Sequence, residues 1–322
     1  MSGRVRAGPE RREGQVFGGD SLPARYASFV KLPHTLFALP FAGVGAVLAS
    51  YGYPERITLR LIVLILVAFT AARFAAMGFN RIVDRRYDAL NPRTKGRELP
   101  AGRLTLAQAR IAVTVASVVF MVSAWLIGPL CGLLAPVALA WVFFYSYTKR
   151  FTSLSHAVLG LALGIAPAGA YIAVADAWSD PWWALPLLSL AVMCWVAGFD
   201  IIYAVQDVGF DRDQGLRSVP ARLGLRGALA VARASHLAAT GAFLAVALLG
   251  AFPVGLPYYV GVAGMAALLV YEHAVVRNAG EDGPDLKRID RAFFRANIAV
   301  SMTLLAFTLI DRFWFLAGGS SG

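Results

Sequence analysis

Two short runs of the sequence combine residue types that could do chemistry together. The first reads Gly78-Phe79-Asn80-Arg81-Ile82-Val83-Asp84-Arg85-Arg86-Tyr87-Asp88. Asn80, Asp84 and Asp88 are spaced i, i+4, i+8, so a helix stacks their oxygens on one face, one turn apart. The second reads Asp200-Ile201-Ile202-Tyr203-Ala204-Val205-Gln206-Asp207-Val208-Gly209-Phe210-Asp211. At about 100° per residue, Asp200, Asp207 and Asp211 fall within roughly 20° of one face, with Tyr203 beside them. Asp213 points elsewhere and reads as a loop residue. Carboxylates and one amide, without clustered Cys or His, suit a hard cation. Mg2+ is the natural candidate, because it is commonly held by a few carboxylates together with substrate phosphates. Neighbouring Arg and Lys residues would neutralise what charge the metal leaves on a phosphate.

The elements that must position these residues are membrane helices. The chain has 322 residues, of which 58% are apolar and only 15% charged, and its mean hydropathy is +0.62. That composition excludes a soluble globular domain, a disordered chain and a disulfide scaffold. Apolar runs lie near 29–50, 57–79, 106–127, 130–147, 156–175, 184–205, 227–250, 254–276 and 293–316. The fold class expected is all-α: a polytopic membrane bundle of nine helices. Residues 1–27 read as a disordered basic tail, 28–316 as the membrane domain and 317–322 as a flexible tail. Both acidic runs end an even-numbered helix, the second and the sixth, so both emerge on one side of the bilayer.

The net charge of +11 fits that arrangement better than it fits nucleic acid, for which no reading is made. The side holding the N-terminus carries 26 of the 30 Lys and Arg residues, which places it in the cytoplasm of a cell whose inner (plasma) membrane holds the protein. The C-terminus falls on the opposite side. Trp178, Trp182, Trp183, Tyr258 and Tyr259 are expected at that opposite interface as an aromatic belt. Cys131 and Cys194 sit in apolar runs and read as packing. His34, beside Pro33 at the start of the first run, reads as structural.

Several residues have a plain reading beside a chemical one. The acids could simply cap the bundle with salt bridges, Asp84 to Arg85 or Arg81 and Asp211 to Arg212. Acids on two runs at one end of the bundle favour chemistry instead, because such residues are costly near a membrane. Lys149-Arg150 closes the fourth run with Tyr145 one turn before, and alone it reads as a charged stop. The stretch Arg93–Arg103 could be ordinary loop charge, but Pro92, Gly96, Pro100 and Gly102 suggest shaped turns. Arg73 lies within an apolar helix, seven residues before Asn80 on nearly the same face, and reads as a ligand-facing cation, with a structural ion pair as the plain alternative. No P-loop, dinucleotide, HExxH or GxSxG pattern is present.

These residues resemble the UbiA superfamily of intramembrane prenyltransferases. Asn80, Asp84 and Asp88 match its NxxxDxxxD motif, although Arg81 stands where an extra Asp is common. Tyr203, Asp207 and Asp211 match YxxxDxxxD, and Tyr145 with Lys149 matches YxxxK. The resemblance implies that the nine helices surround a central cavity, with Mg2+ bridged to the diphosphate of a polyprenyl donor. Asn80, Asp84, Asp88, Asp207 and Asp211 would be metal or diphosphate ligands. Asp84, Asp207 and Lys149 would be catalytic. Arg73, Lys149, Tyr145 and Tyr203 would touch diphosphate or substrate, and Asp200 would serve the acceptor or support those ligands. The partners implied are a polyprenyl diphosphate, an aromatic acid acceptor and the lipid bilayer. Stretches such as Lys31-Leu-Pro-His34 and Asn91-Pro-Arg-Thr-Lys-Gly-Arg-Glu-Leu-Pro are similar to the 4-hydroxybenzoate polyprenyltransferase branch, especially members serving futalosine-route menaquinone. That similarity implies a hydroxynaphthoate acceptor, with 4-hydroxybenzoate for ubiquinone as the alternative. A reading of a different class is a transporter with acidic ion sites.

Overall fold

The structure, a computed structural model, describes residues 21–31, 35–277 and 295–318. Eleven α-helices carry these residues: α1 Leu22–Phe29, α2 Thr35–Ala49, α3 Leu59–Leu90, α4 Leu106–Ile127, α5 Pro129–Thr148, α6 Ser155–Ala175, α7 Ala184–Ala204, α8 Val208–Asp213, α9 Val219–Leu248, α10 Leu256–Arg277 and α11 Asn297–Leu316. A single 3-10 turn, Val205–Asp207, joins α7 to α8. Among the described residues all regular structure is helical. Among the described residues eight helices are long and apolar enough to cross a membrane, and the chain is a multi-pass membrane protein.

The ninth expected span is shorter than the sequence suggests. The apolar run at 29–50 is divided between the end of α1 and the 15-residue α2. Lys31 turns the backbone into the left-handed region, with φ 46°, and Pro33 follows. Residues 22–27, expected within the disordered tail, belong to α1. The Ser21 hydroxyl accepts from the Ala24 amide, and Pro23 sits in the first turn. Both are ordinary N-terminal devices, and Phe29 anchors the helix by full burial. Residues 1–20, His34 and residues 319–322 lie outside the described residues.

Helix lengths place the acids. The 32 residues of α3 extend about 48 Å, well beyond a hydrocarbon core of about 30 Å. Its last three turns therefore leave the apolar layer, and they hold Asn80, Asp84 and Asp88. Thr58 caps the opposite end of α3 through its hydroxyl. The α4–α5 junction is the tight Gly128-Pro129 step, with Pro129 opening α5.

The helices approach closely where side chains are small. A Cβ at Gly164 of α6 would stand 2.5 Å from the Ser189 carbonyl of α7, and one at Gly45 of α2 would collide with the Pro167 carbonyl of α6. Small residues at such crossings are the usual means of tight helix packing in lipid. The core beside them is aromatic, with Phe41 and Trp195 rings 4.6 Å apart and Trp195 and Phe199 4.8 Å apart. Trp178 and Trp182 are exposed on the α6–α7 loop, as an interfacial belt requires. Tyr258 is not: it is fully buried, and its hydroxyl donates to the Phe243 carbonyl at 3.2 Å. The first turn of α10 packs inward, so one face of that turn belongs to the core.

At the end of the bundle away from the acids, α11 is locked to α2. The Tyr51 hydroxyl donates to Asp311 Oδ2 at 2.5 Å, and Arg312 Nε donates to Ser50 Oγ at 3.0 Å. Burial first, then the bond to Asp311, push the Tyr51 hydroxyl above its usual range, so it remains a donor.

Candidate active site

The loop after α3 is what brings the two acidic runs together. Asn91 caps α3, and its side-chain carbonyl accepts from the Arg93 amide at 2.9 Å, an Asx turn ahead of Pro92. Its other side-chain atom reaches the second run: Nδ2 donates to Asp207 Oδ1 at 3.1 Å. Backbone bonds from Thr94 and Lys95 to the Asn91 carbonyl tighten the turn. Thr94 Oγ1 donates to the Asp88 carbonyl at 3.1 Å and satisfies one of the last carbonyls of α3. Farther along, Arg103 pairs with the buried Glu98, and Gly102 takes the positive φ of 68° that the turn needs. Buried Leu104 then packs with Phe29 of α1.

This loop aims two guanidiniums at the acids. Arg93 grips Asp207 with both arms, Nε to Oδ1 at 2.9 Å and Nη2 to Oδ2 at 2.6 Å. Its Nη1 donates to the Tyr203 hydroxyl at 3.1 Å. Arg97 Nη1 lies 2.6 Å from Asp88 Oδ1, with Arg81 at 4.0 Å from the other oxygen. Fork-to-carboxylate pairs of this kind are strong and directional. Asp84 holds the Asn80 amide at 2.9 Å and Arg150 at 3.5 Å. Lys149 Nζ is 3.8 Å from Asp211 Oδ2, and that oxygen is buried with no hydrogen-bond partner among the described residues. The salt-bridge cap read from sequence thus exists with different partners: Arg81 reaches Asp88, and Arg212 donates to the Ala221 carbonyl instead of pairing with Asp211.

Asp200 sits seven residues before Asp207 on α7, about 10 Å deeper along the axis. His156 of α6 meets it, with Nδ1 2.6 Å from Asp200 Oδ2. The Val219 amide donates to His156 Nε2 at 3.4 Å, so Nδ1 carries the proton and donates to Asp200. Tyr145 lies within electrostatic reach of Asp200, Asp84 and Arg97. Arg73 is half-buried, about 10 Å deeper than Asn80 along α3. The sequence reading gave site roles to Lys149 and Tyr203 and none to Asn91, Arg93, Arg97 or His156, although it marked the Arg93–Arg103 stretch as shaped turns. The Asn91-Pro92-Arg93 turn directly after Asp88 was an available signal. His156 had none, because 44 residues separate it from Asp200.

The donor set is one that Mg2+ favours: carboxylate oxygens and an amide, one carboxylate oxygen lacking a hydrogen-bond partner. Among the described residues no three Asp, Glu, His or Cys side chains converge as a metal-holding group, since guanidiniums occupy Asp88 and Asp207. A cavity of about 790 Å3 lies beside the acids, between α3, α4 and α5, and not between the two acidic runs.

A membrane bundle with an acid cluster matched by arginines at one end is the framework of an intramembrane enzyme for a charged amphiphile. The sequence model of the UbiA prenyltransferase family matches residues 38–298, and the chain belongs to that family; it is a prenyltransferase. A 4-hydroxybenzoate octaprenyltransferase of Tolumonas auensis is 29% identical over 73% of this chain and 79% of its own length. Another, from Methylobacillus flagellatus, is 30% identical over 73% and 76%. Among solved structures, a UbiA homolog from Aeropyrum pernix K1 superposes with a TM-score of 0.75 at 36% identity, covering 86% of this chain and 98% of that one. A UbiA homolog from Archaeoglobus fulgidus, bound to GPP and Mg2+, shares the fold with a TM-score of 0.69 at 18% identity, covering 89% and 99%.

Proposed function

We propose that this enzyme transfers a polyprenyl group from a polyprenyl diphosphate to an aromatic hydroxy acid in quinone biosynthesis, with Mg2+ as cofactor. The observation that carries the reading is the junction of both acidic runs through Asn91 and Arg93 at one end of the bundle. The reading places that end in the cytoplasm and the bundle in the inner (plasma) membrane, on the basic-residue asymmetry. The curated relatives are named for 4-hydroxybenzoate, and 4-hydroxybenzoate is the acceptor we assign. A hydroxynaphthoate rests only on the motif resemblance and is the competing acceptor in the test.

Asn80, Asp84, Asp88, Asp207 and Asp211 would hold Mg2+, which supplies neutralising charge to the departing diphosphate. Arg93 and Arg97 then exchange a carboxylate for a phosphate oxygen, the other group their forks fit. Lys149 adds a point charge on the same side. As the carbon–oxygen bond of the donor breaks, its electrons leave with the diphosphate, and these cations stabilise them. The allylic cation left behind faces Tyr145 and Tyr203, whose rings attract positive charge. The electron-rich ring of the acceptor attacks it and forms the new carbon–carbon bond. The displaced ring proton goes to Asp200, which His156 holds from behind. Arg73, at a similar depth on α3, matches the carboxylate of an aromatic acid.

The purified protein in lipid, given a polyprenyl diphosphate with either acid, is expected to yield prenylated 4-hydroxybenzoate and pyrophosphate. Full turnover by both Asp84→Ala and Asp207→Ala would sink the reading. Prenylation of the naphthoate alone would reassign the acceptor. Ion flux across proteoliposomes without any product would instead favour a transporter.

A further inference from the structure

The cavity between α3, α4 and α5 is lined by other residues of the first acidic run but by none of its acids, and by no residue of the second run. At about 100° per residue, its α3 positions Phe79, Ile82, Val83 and Arg85 centre on the face opposite the one Asn80, Asp84 and Asp88 share, with Val83 and Arg85 at its edges. The body of α3 therefore stands between most of the groove and a diphosphate resting on the aspartates. Along α4 the lining positions run from Arg110 to Val122 at three- and four-residue steps. That is one face of the helix over about 18 Å, close to the depth of a single leaflet of a hydrocarbon core about 30 Å thick.

The groove is apolar below and cationic at one end. Phe79, Val122 and Phe143 are walls, while Arg85, Arg110 and Arg150 line it as well. A second cavity of about 520 Å3 shares Arg85 and Arg150 and adds Arg86. Among the described residues no carboxylate lines either space. The Arg85 guanidinium donates to the Ile82 carbonyl at 3.0 Å, and Arg110 is exposed. An acyl chain with an anionic head fits this pattern, as basic pockets between membrane helices generally do.

Arg150 connects the groove to the acids. Its Nη2 donates to the Val83 carbonyl at 3.1 Å and lies 3.5 Å from Asp84 Oδ1, and its guanidinium covers the Tyr87 and Tyr147 rings at 5.5 Å and 5.3 Å. A head group at the mouth of the groove competes with Asp84 for it.

We propose that this groove binds an anionic phospholipid whose head group draws Arg150 from Asp84 and so raises turnover. The second half rests on the role assigned to Asp84 above; the binding half does not. The probe is phosphatidylglycerol, with phosphatidylcholine as the neutral control. The full-length protein in nanodiscs is expected to retain phosphatidylglycerol selectively through detergent exchange, read by native mass spectrometry. The Arg85→Gln/Arg110→Gln double variant is expected to retain it about 30-fold less well, with turnover in pure phosphatidylcholine unchanged. Val118→Trp, which fills the groove without touching a charge, is expected to lower retention while leaving the arginines in place.

Wild-type turnover is expected to rise severalfold when phosphatidylglycerol is added, and the double variant to lose that response. Equal retention of the two lipids, equal retention by the double variant, or displacement of the lipid by geranyl diphosphate would overturn the site. Selective retention with no change in turnover would overturn the coupling. Absence of prenylated product in every lipid would count against the function proposed above and leave the retention result standing.

Discussion

Arg93 ties Asp207, Tyr203 and the end of α3 into one polar cluster, and its worth lies in shape as much as charge. Both arms of its fork meet Asp207 while a third nitrogen meets Tyr203. Arg93→Lys keeps the charge and loses two of those bonds. Initial rates of pyrophosphate release are expected to fall about 10- to 100-fold, as at other bidentate sites. Unchanged rates would show that the fork does not carry diphosphate. Asp200 offers a sharper test of its proton-accepting role. Asp200→Asn cannot take the ring proton, so that step becomes slowest. With ring-deuterated acceptor, the variant is expected to show a primary isotope effect of about 3 or more, against a wild-type value near 1, and a rate about 100- to 10,000-fold lower. A variant as slow as this but without the isotope effect would assign Asp200 a positioning role.

The element that most shapes the site is the loop from Asn91 to Thr105, not either acidic helix. It is held by its own turn chemistry, by the pair of Glu98 and Arg103, and by Leu104 beneath α1. Asn91→Ala removes both the Asx turn and the bond to Asp207. Activity is expected to drop at least about tenfold while the melting temperature shifts only a few degrees, since about 1–3 kcal/mol is at stake. Helix packing gives the opposite signature. Gly164→Val forces α6 from α7 and is expected to lower detergent stability severely, a loss visible in the melting temperature before any assay. The sequence made the helices and their acidic faces legible, because i, i+4 spacing is a local property. It did not reveal the partners of the acids. Arg97 lies nine residues past Asp88 and His156 lies 44 residues from Asp200, distances at which no periodicity links two residues.

At the scale of the whole molecule, charge, lipid and metal act together. Chelation with EDTA is expected to stop pyrophosphate release, and added Mg2+ to restore it. Persistence of full activity after chelation would contradict the ligand set of Asn80, Asp84, Asp88, Asp207 and Asp211. Orientation has a separate test. A cysteine placed at Lys95 in a Cys131→Ser/Cys194→Ser background is expected to react with a membrane-impermeant maleimide only when the cytoplasmic face is open. Labelling in intact cells would invert the topology inferred from the 26 basic residues on one side.

Taken alone, the sequence determined the class: apolar runs of membrane length, acids one turn apart at two helix ends, and basic residues gathered on the same side. Each follows from composition or from spacing within one segment. Tertiary structure decided which cations meet which acids, that Asn91 joins the two runs, that His156 stands behind Asp200, that the first apolar run divides into α1 and α2, and that Tyr258 turns inward. These are contacts between segments far apart in the chain. They are set by how closely small residues let the helices approach and by where a buried charge finds its partner.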